Sequence, residues 1–118
     1  MRPEPYVTLD GSTVTELIRP ETEGSRNLSV AQAVIQPGRS TLPHSHRNSE
    51  EVYYVIQGQG TLRIGARQVE ISSGDALLIR PGQEHSAACI GASPLVILCL
   101  CAPPYEHEDT QVIGGVVT

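Results

Sequence analysis

Short apolar runs, separated by turns that contain glycine or proline, are the feature that most restricts how this chain can fold. The runs are rich in Val, Ile, Leu, Thr and Tyr, a composition typical of strands. They cover residues 28–36, 51–57, 60–64, 67–72, 75–80, 86–91 and 94–101. No segment of ten or more residues has the 3.6-residue apolar period of a helix. The pattern therefore predicts an all-β chain, folded as an antiparallel sandwich or barrel.

The length of 118 residues predicts a single domain. We expect an N-terminal arm over 1–27, a barrel core over 28–102 and a C-terminal tail over 103–118. In the arm, the stretch TVTELIRPETEG suits either a strand or a helical turn, and Pro20 is expected to end either one. In the tail, the apolar residues of QVIGGVVT can add a strand, including one that joins a neighbouring subunit.

The charged and aromatic residues exclude several classes of function. The net charge is −5, all eight basic residues are Arg, and the chain has no Lys. Schiff-base chemistry and P-loop phosphate binding are therefore excluded. Nucleic-acid binders need a basic face and usually aromatic platforms, whereas this acidic chain has four Tyr and neither Phe nor Trp. We therefore expect no nucleic-acid partner.

The sequence predicts neither export nor membrane insertion. The N-terminal residues MRPEPYVTLDGS lack the apolar core of a signal peptide, and the run PLVILCLCAPP is too short to span a bilayer. We expect a cytoplasmic protein that binds no membrane. Cys89, Cys99 and Cys101 are an odd number of cysteines in such a chain, which argues against a disulfide framework.

Two histidines, His44 and His46, stand two residues apart in a chain that has four. On a strand this spacing places both imidazoles on one face, where they can converge on one metal ion. A carboxylate follows on the next strand, from either Glu50 or Glu51, and His85 begins a later strand as a third imidazole. Three imidazoles and one carboxylate suit one divalent ion of Fe, Mn, Co, Ni, Cu or Zn, with positions left open for water or substrate.

The same residues carry a resemblance to a known family. The stretch GRSTLPHSHRNSEEVYYVIQG, from Gly38 to Gly58, resembles the first motif of the cupins: Gly, five residues, His-x-His, three or four residues, Glu, six residues, Gly. Counting back from Gly58 selects Glu51 as the family's ligand, with Glu50 on the opposite face. The resemblance covers about residues 28–101.

A second stretch, GDALLIRPGQEH, is similar to the second cupin motif, with Gly74, Gly82 and His85 at the matching positions. Arg80 stands where the motif has its first Pro, and Cys89 stands where it has Asn. Neither is a ligand position, so the resemblance implies a metal held by His44, His46, Glu51 and His85. It also implies a double-stranded β-helix, or jelly-roll barrel, as in the small single-domain cupins that are compared with phosphomannose isomerases.

The resemblance implies a metal-binding cupin but leaves its activity open. One reading is a metalloenzyme acting on a small polar metabolite, with isomerase-like, epimerase-like or dioxygenase-like chemistry. The alternative is a cupin that binds a metal or small ligand without turnover. Tyr53, Glu50 and His107 are the candidates for a catalytic group, and no organic cofactor is expected.

The remaining polar residues have two interpretations each. Arg39, Arg47 and Arg80 can hold an anionic ligand if they reach the barrel mouth, and are otherwise surface residues. The tail residues from His107 to Thr110 can fold back over the mouth, and Asp109 or Thr110 is expected to cap backbone groups or meet a partner subunit. Cys89 follows His85 closely enough to line the cavity, whereas Cys99 and Cys101 are expected in the core.

The apolar run at 94–101 and the apolar C-terminus predict a homodimer.

Overall fold

The computed structural model describes residues 4–113. The strands are β1 Tyr6–Val7, β2 Thr13–Ile18, β3 Ser29–Ile35, β4 His44–His46, β5 Glu50–Gln57, β6 Gln59–Ile64, β7 Arg67–Ser72, β8 Ala76–Ile79, β9 His85–Cys89, β10 Leu95–Ala102 and β11 Thr110–Val112. One helical turn, α1 Pro20–Glu23, follows β2, and a 3₁₀ turn, His107–Asp109, precedes β11. None of the helices among the described residues has the length and apolarity needed to cross a membrane.

The strands form two antiparallel sheets. The first has the order β1-β2-β3-β10-β5-β8 and the second has the order β11-β4-β9-β6-β7. Strands that are distant in sequence are neighbours in both sheets, as in β3–β10 and β6–β9. The architecture is the double-stranded β-helix that the sequence predicts.

The inward faces of the two sheets meet in one apolar core. Its buried residues are Ile35, Tyr53, Val55, Leu62, Ile64, Ile71, Ile79, Ala87, Cys89, Leu95 and Ile97. Each fully buried Leu, Ile or Val contributes about 1.5–3 kcal/mol relative to an exposed position. Along β5 the inward residues change from Val55 to Tyr53 to Glu51, all of them buried. The polar site therefore begins where the apolar core ends.

All seven predicted strands are present, with bounds within two residues of those expected. In the N-terminal arm the ambiguous stretch forms both alternatives in succession: Thr13–Ile18 is a strand, and Pro20 begins α1. As expected, the strand over this stretch ends before Pro20, and Pro20 itself begins the helical turn. Proline is tolerated in the first turn of a helix because the amide it lacks has no partner there.

The arm and the tail both extend the sheets. Strand β2 pairs with β3, and the tail strand β11 pairs with β4, which carries the two neighbouring histidines. The predicted C-terminal strand is thus present as Thr110–Val112 within the same chain, while residues 114–118 lie outside the described residues.

At Gly58 and Gly60, on either side of Gln59, the chain packs so closely against neighbouring backbone that a side chain would not fit. Gly58 has a φ of +93°, and a Cβ there would overlap the carbonyl oxygen of Pro94. A Cβ at Gly60 would overlap the carbonyl oxygen of Ala88. These two glycines let the chain pass from the first sheet to the second at this point.

Candidate metal centre

Three strands bring the predicted ligands together. His44 and His46 point inward from β4, His85 lies directly opposite His44 across the β4–β9 pairing, and Glu51 points inward from β5 of the other sheet. One donor atom from each of the four lies within 4.8 Å of all the others, and all four residues are buried. The cluster is suited to a metal ion, in the three-imidazole, one-carboxylate set that divalent transition metals accept.

Two of the imidazoles have a tautomer that the backbone fixes. Nδ1 of His44 lies 2.9 Å from the carbonyl oxygen of Leu42, and Nδ1 of His85 lies 2.9 Å from that of Gln83. A carbonyl oxygen only accepts, so each Nδ1 carries the proton and donates. In the neutral ring, Nε2 is then left with a lone pair, which is the form that binds a metal.

The third imidazole has the same tautomer through a side chain of the tail. The Thr110 hydroxyl donates to the carbonyl oxygen of Glu106 at 3.0 Å, so its oxygen accepts from Nδ1–H of His46 at 2.9 Å. His46 therefore also presents an unprotonated Nε2 to the cluster. All three neutral imidazoles therefore present an unprotonated Nε2, those of His46 and His85 towards Glu51 and that of His44 towards Asp10.

This arrangement requires a cation. Nε2 of His46 and Nε2 of His85 lie 3.2 and 3.3 Å from Oε1 of Glu51. Nε2 of His85 is fully buried and has no hydrogen-bond partner among the described residues. Lone pairs and a carboxylate at such distances repel one another away from water, and only a bound proton or metal ion removes the repulsion. The donor set therefore fits a metal ion by its own chemistry.

The pKa directions agree with this picture. Burial, and then the neighbouring His85, lower the pKa of His44, which keeps this imidazole neutral and available. Burial opposes ionisation of Glu51, but hydrogen bonds and charge interactions with His46 and His85, which require a proton on each Nε2, lower the pKa of its carboxyl group to about 2 in the metal-free protein. A proton at these atoms then takes the place of the cation that the donor set requires. Glu51 is accordingly a carboxylate across the physiological range.

The second oxygen of Glu51 has its own partner. Oε2 accepts from the Cys101 thiol, with Sγ 3.2 Å away. Burial, and then the Glu51 charge, raise the pKa of that thiol, so it stays protonated and donates. Cys101 thus holds one carboxylate oxygen and leaves Oε1 facing the imidazoles.

A cavity with a volume of about 60 Å³ adjoins the cluster. A cavity needs roughly 10–15 Å³ per water molecule, so this one has room for a small ligand. Its polar lining outside the cluster includes Tyr6, Asp10, Glu16, Tyr53, Cys99 and Tyr105. Burial raises the pKa of the Tyr53 and Tyr105 phenols and of the Cys99 thiol, so these groups are neutral donors near pH 7.

The three candidates for a catalytic group lie in different places. Tyr53 is buried and lines the cavity, and its ring centroid is 5.8 Å from that of His85. Glu50 is exposed on the opposite face of β5, with Tyr54. His107 is exposed, and its Nδ1 lies 2.9 Å from the Tyr105 hydroxyl, outside the cavity lining. Of the three, only Tyr53 can contact a ligand in the cavity.

The arginines and Cys89 do not reach the cavity. Arg39, Arg47 and Arg80 are all exposed and do not line it. The prediction that Cys89 lines the cavity is wrong: its side chain is buried in the apolar core, with Sγ 3.2 Å from the carbonyl oxygen of Ser93. Cys99 lines the cavity instead. The cysteines of the chain are free, as expected.

The tail has the backbone-capping role that the sequence suggests. The Asp109 carboxylate accepts from the backbone amides of Asn48 at 2.8 Å and Ser49 at 3.2 Å, in the turn between β4 and β5. This contact orders the connection between the strand that carries His46 and the strand that carries Glu51. The expectation for Asp109 is confirmed.

The sequence did not reveal three neighbours of the ligands. Thr110, which is hydrogen-bonded to His46, is 64 residues away from it in the sequence. Cys101, which is hydrogen-bonded to Glu51, is 50 residues away from it. Asp10, in the turn between β1 and β2, places Oδ2 at 3.5 Å from Nε2 of His44. The one signal available was the shared parity of Cys99 and Cys101, which predicts a common face but not a contact.

Comparisons with known proteins agree with the fold and the site. A family model described as "Cupin domain" matches residues 31–101. An uncharacterized protein of Methanocaldococcus jannaschii is 40% identical over 110 residues, which cover 93% of this chain and 88% of that protein. The oxalate-binding protein of Thermotoga maritima is 26% identical over 87 residues, which cover 74% of this chain and 72% of that protein. The crystal structure of a predicted oxalate decarboxylase from the same organism is similar with a TM-score of 0.74, at 25% identity, over 86% of this chain and 91% of that one.

Proposed function

This chain belongs to the cupin family, and we propose that it holds one divalent transition-metal ion on His44, His46, Glu51 and His85. The observation that carries the proposal is the convergence of three buried imidazoles and one buried carboxylate, whose donor atoms lie within 4.8 Å of one another. The cupin motifs of the sequence imply the same four ligands, and the match of the family model to residues 31–101 supports that assignment.

We further propose that the protein acts on a small polar metabolite in the adjoining cavity. The metal would supply Lewis-acid chemistry, polarising an oxygen of the bound ligand. The Tyr53 phenol, neutral at pH 7, is positioned to donate a hydrogen bond into the cavity and so to orient the ligand. The surrounding core excludes bulk water from the site, which strengthens these polar contacts. Isomerase-like and dioxygenase-like reactions both fit this arrangement.

A second candidate, binding without turnover, is favoured by a specific observation. The phenols and thiols that line the cavity have raised pKa values, so none of them is a ready base near pH 7, and the carboxylates of Asp10 and Glu16 are the remaining candidates for a base in the lining outside the cluster. Glu50 and His107, the other catalytic candidates, do not line the cavity. One relative is named an oxalate-binding protein, which is a binding function.

One experiment separates the two candidates. The protein is reconstituted anaerobically with Fe(II), Mn(II), Co(II), Ni(II) or Zn(II) and incubated with small hydroxy-, keto- and dicarboxylic acids and short sugars. Product formation is followed by NMR, and oxygen uptake by electrode. Turnover that is lost on metal removal supports an enzyme, and oxygen uptake identifies a dioxygenase. Saturable binding without product supports the binding function, and an absence of metal uptake overturns both.

We also propose that the chain forms a homodimer through the outer face of the first sheet. Tyr54, Ile56 and Leu78 are 43%, 42% and 43% exposed on that face. They lie beside the half-buried Leu98, which is paired with Tyr54 across β5 and β10. Adjacent apolar side chains on an open sheet face are typical of a protein interface. A second copy would cover them by two-fold pairing.

A further inference from the structure

The charges in the cavity differ from those that a dianionic ligand needs. Three carboxylates belong to its lining, those of Asp10, Glu16 and Glu51, and Glu16 is already paired with Arg19, which lies outside the lining. Neither Arg nor Lys belongs to the lining among residues 4–113, so a bound metal ion would be the cavity's source of fixed positive charge. Arginine is the residue that normally neutralises a carboxylate or phosphate ligand in a buried site.

Asp10 is the carboxylate that most directly faces the cluster. Its Oδ1 accepts from the backbone amide of Ser12 at 2.9 Å and from the Ser12 hydroxyl at 2.6 Å. Its backbone oxygen accepts from the amide of Leu42 at 2.7 Å, which ties the β1–β2 turn to the barrel. With Oδ1 occupied, Oδ2 remains as an acceptor, 3.5 Å from Nε2 of His44. The side chain of Asp10 is only 12% exposed.

The charge of a divalent ion would already be balanced by Glu51 and Asp10. A dianion such as oxalate would leave two uncompensated negative charges in a largely buried site, and burial of unpaired charge is strongly unfavourable. An uncharged ligand adds no such penalty. A ligand with a hydroxyl group would also donate to Oδ2 of Asp10, while a neighbouring oxygen is free to meet the metal.

We propose that the ligand is an uncharged α-hydroxycarbonyl compound, and that Asp10 is the residue that selects it over dicarboxylates. The proposal rests on the metal site of the proposed function. Asp10 would contribute in two ways, by accepting the ligand hydroxyl and by repelling anions. The second contribution separates this chain from a protein that binds oxalate.

The test compares three probes in the cobalt(II)-loaded protein: oxalate, hydroxyacetone, and methoxyacetone, which has both oxygens but no hydroxyl donor. Binding is followed by the visible absorption of cobalt(II), and cobalt content and thermal unfolding are measured on every sample. The variant is Asp10→Asn, which keeps an acceptor for Ser12. The matched control is Glu50→Gln, which removes the same charge from the exposed face of β5.

We expect Asp10→Asn to raise the affinity for oxalate by at least about tenfold and to lower the affinity for hydroxyacetone by at least about threefold. Methoxyacetone should bind the wild type more weakly than hydroxyacetone and should not respond to Asp10→Asn. Glu50→Gln should leave all three unchanged. If the cobalt-loaded Asp10→Asn variant has an unchanged affinity for oxalate, or an equally increased affinity for all three probes, the inference about Asp10 is overturned. The metal site of the proposed function would still stand. A wild type that takes up no cobalt would overturn the metal site, and the inference with it.

Discussion

The hydrogen bond between Thr110 and His46 provides a test of how the fold orients a ligand. In Thr110→Val the shape of the side chain is kept, but the oxygen that accepts from Nδ1–H of His46 at 2.9 Å is lost. The carbonyl oxygen of Glu106, the other partner of Thr110, belongs to an exposed residue and can turn to water. The buried Nδ1–H cannot, and an unsatisfied buried donor costs about 1–3 kcal/mol. The imidazole must rotate or move its proton from Nδ1 to Nε2, and either change takes the Nε2 lone pair away from the metal site.

Loss of such a partner lowers metal affinity by about 10–100-fold in known sites, and we expect about tenfold here, or about 1.4 kcal/mol. The assay is competition for zinc(II) against a chromophoric chelator at pH 7.5. Thr110→Ser, which keeps the hydroxyl, should bind zinc like the wild type. Thr61→Val, on a strand away from the cluster, controls for the general effect of removing a hydroxyl. Equal zinc affinities for Thr110→Val and the wild type would refute the reasoning.

The positions of the carboxylates, imidazoles and outer apolar residues lead to three further predictions. Glu51→Gln should lower zinc affinity by at least about tenfold while Glu50→Gln leaves it unchanged, because only Glu51 faces the imidazoles; equal losses in the same competition assay would contradict the assignment. The lowered pKa of His44 means that the unfolded chain gains a proton first, so the metal-free protein should lose stability as the pH falls below 6.5, and again below 4.5 towards about 2 through Glu51. Urea unfolding of the metal-free protein at a series of pH values checks this. A free energy of unfolding that rises as the pH falls from 6.5 to 5 would contradict the prediction. Leu98→Glu on the outer sheet face should convert a dimer to a monomer in sedimentation analysis with the metal content unchanged, whereas a wild type that is already monomeric would remove the dimer proposal.

The strands and the ligand cluster were predictable because they depend on local patterns. A strand has a period of two, so His44 and His46 share a face wherever that segment is extended, and so do Glu51 and Tyr53. The turns were marked by glycine and proline. From the residues alone, however, Glu50 and Glu51 remained alternatives. Family spacing selected Glu51, and the structure places that residue in the cluster and Glu50 on the outside.

The contacts around the ligands were not predictable from the residues. Thr110, Cys101 and Asp10 approach His46, Glu51 and His44 only after two sheets have formed and the arm and tail have joined them. Their positions depend on strand order and register between distant segments, which a single sequence does not specify. The same applies to Cys89, because its closeness to His85 in the sequence does not determine whether the side chain meets the cavity or the core.

The central claim is that four side chains from three strands hold one metal ion. The most direct test is elemental analysis of the protein purified without a chelator or an affinity metal, beside the variant His44→Ala. We predict about one equivalent of a transition metal per wild-type chain, and a loss of most of it in the variant. An absence of metal from the wild type, even after anaerobic reconstitution, or an equal content in the variant, would contradict the account.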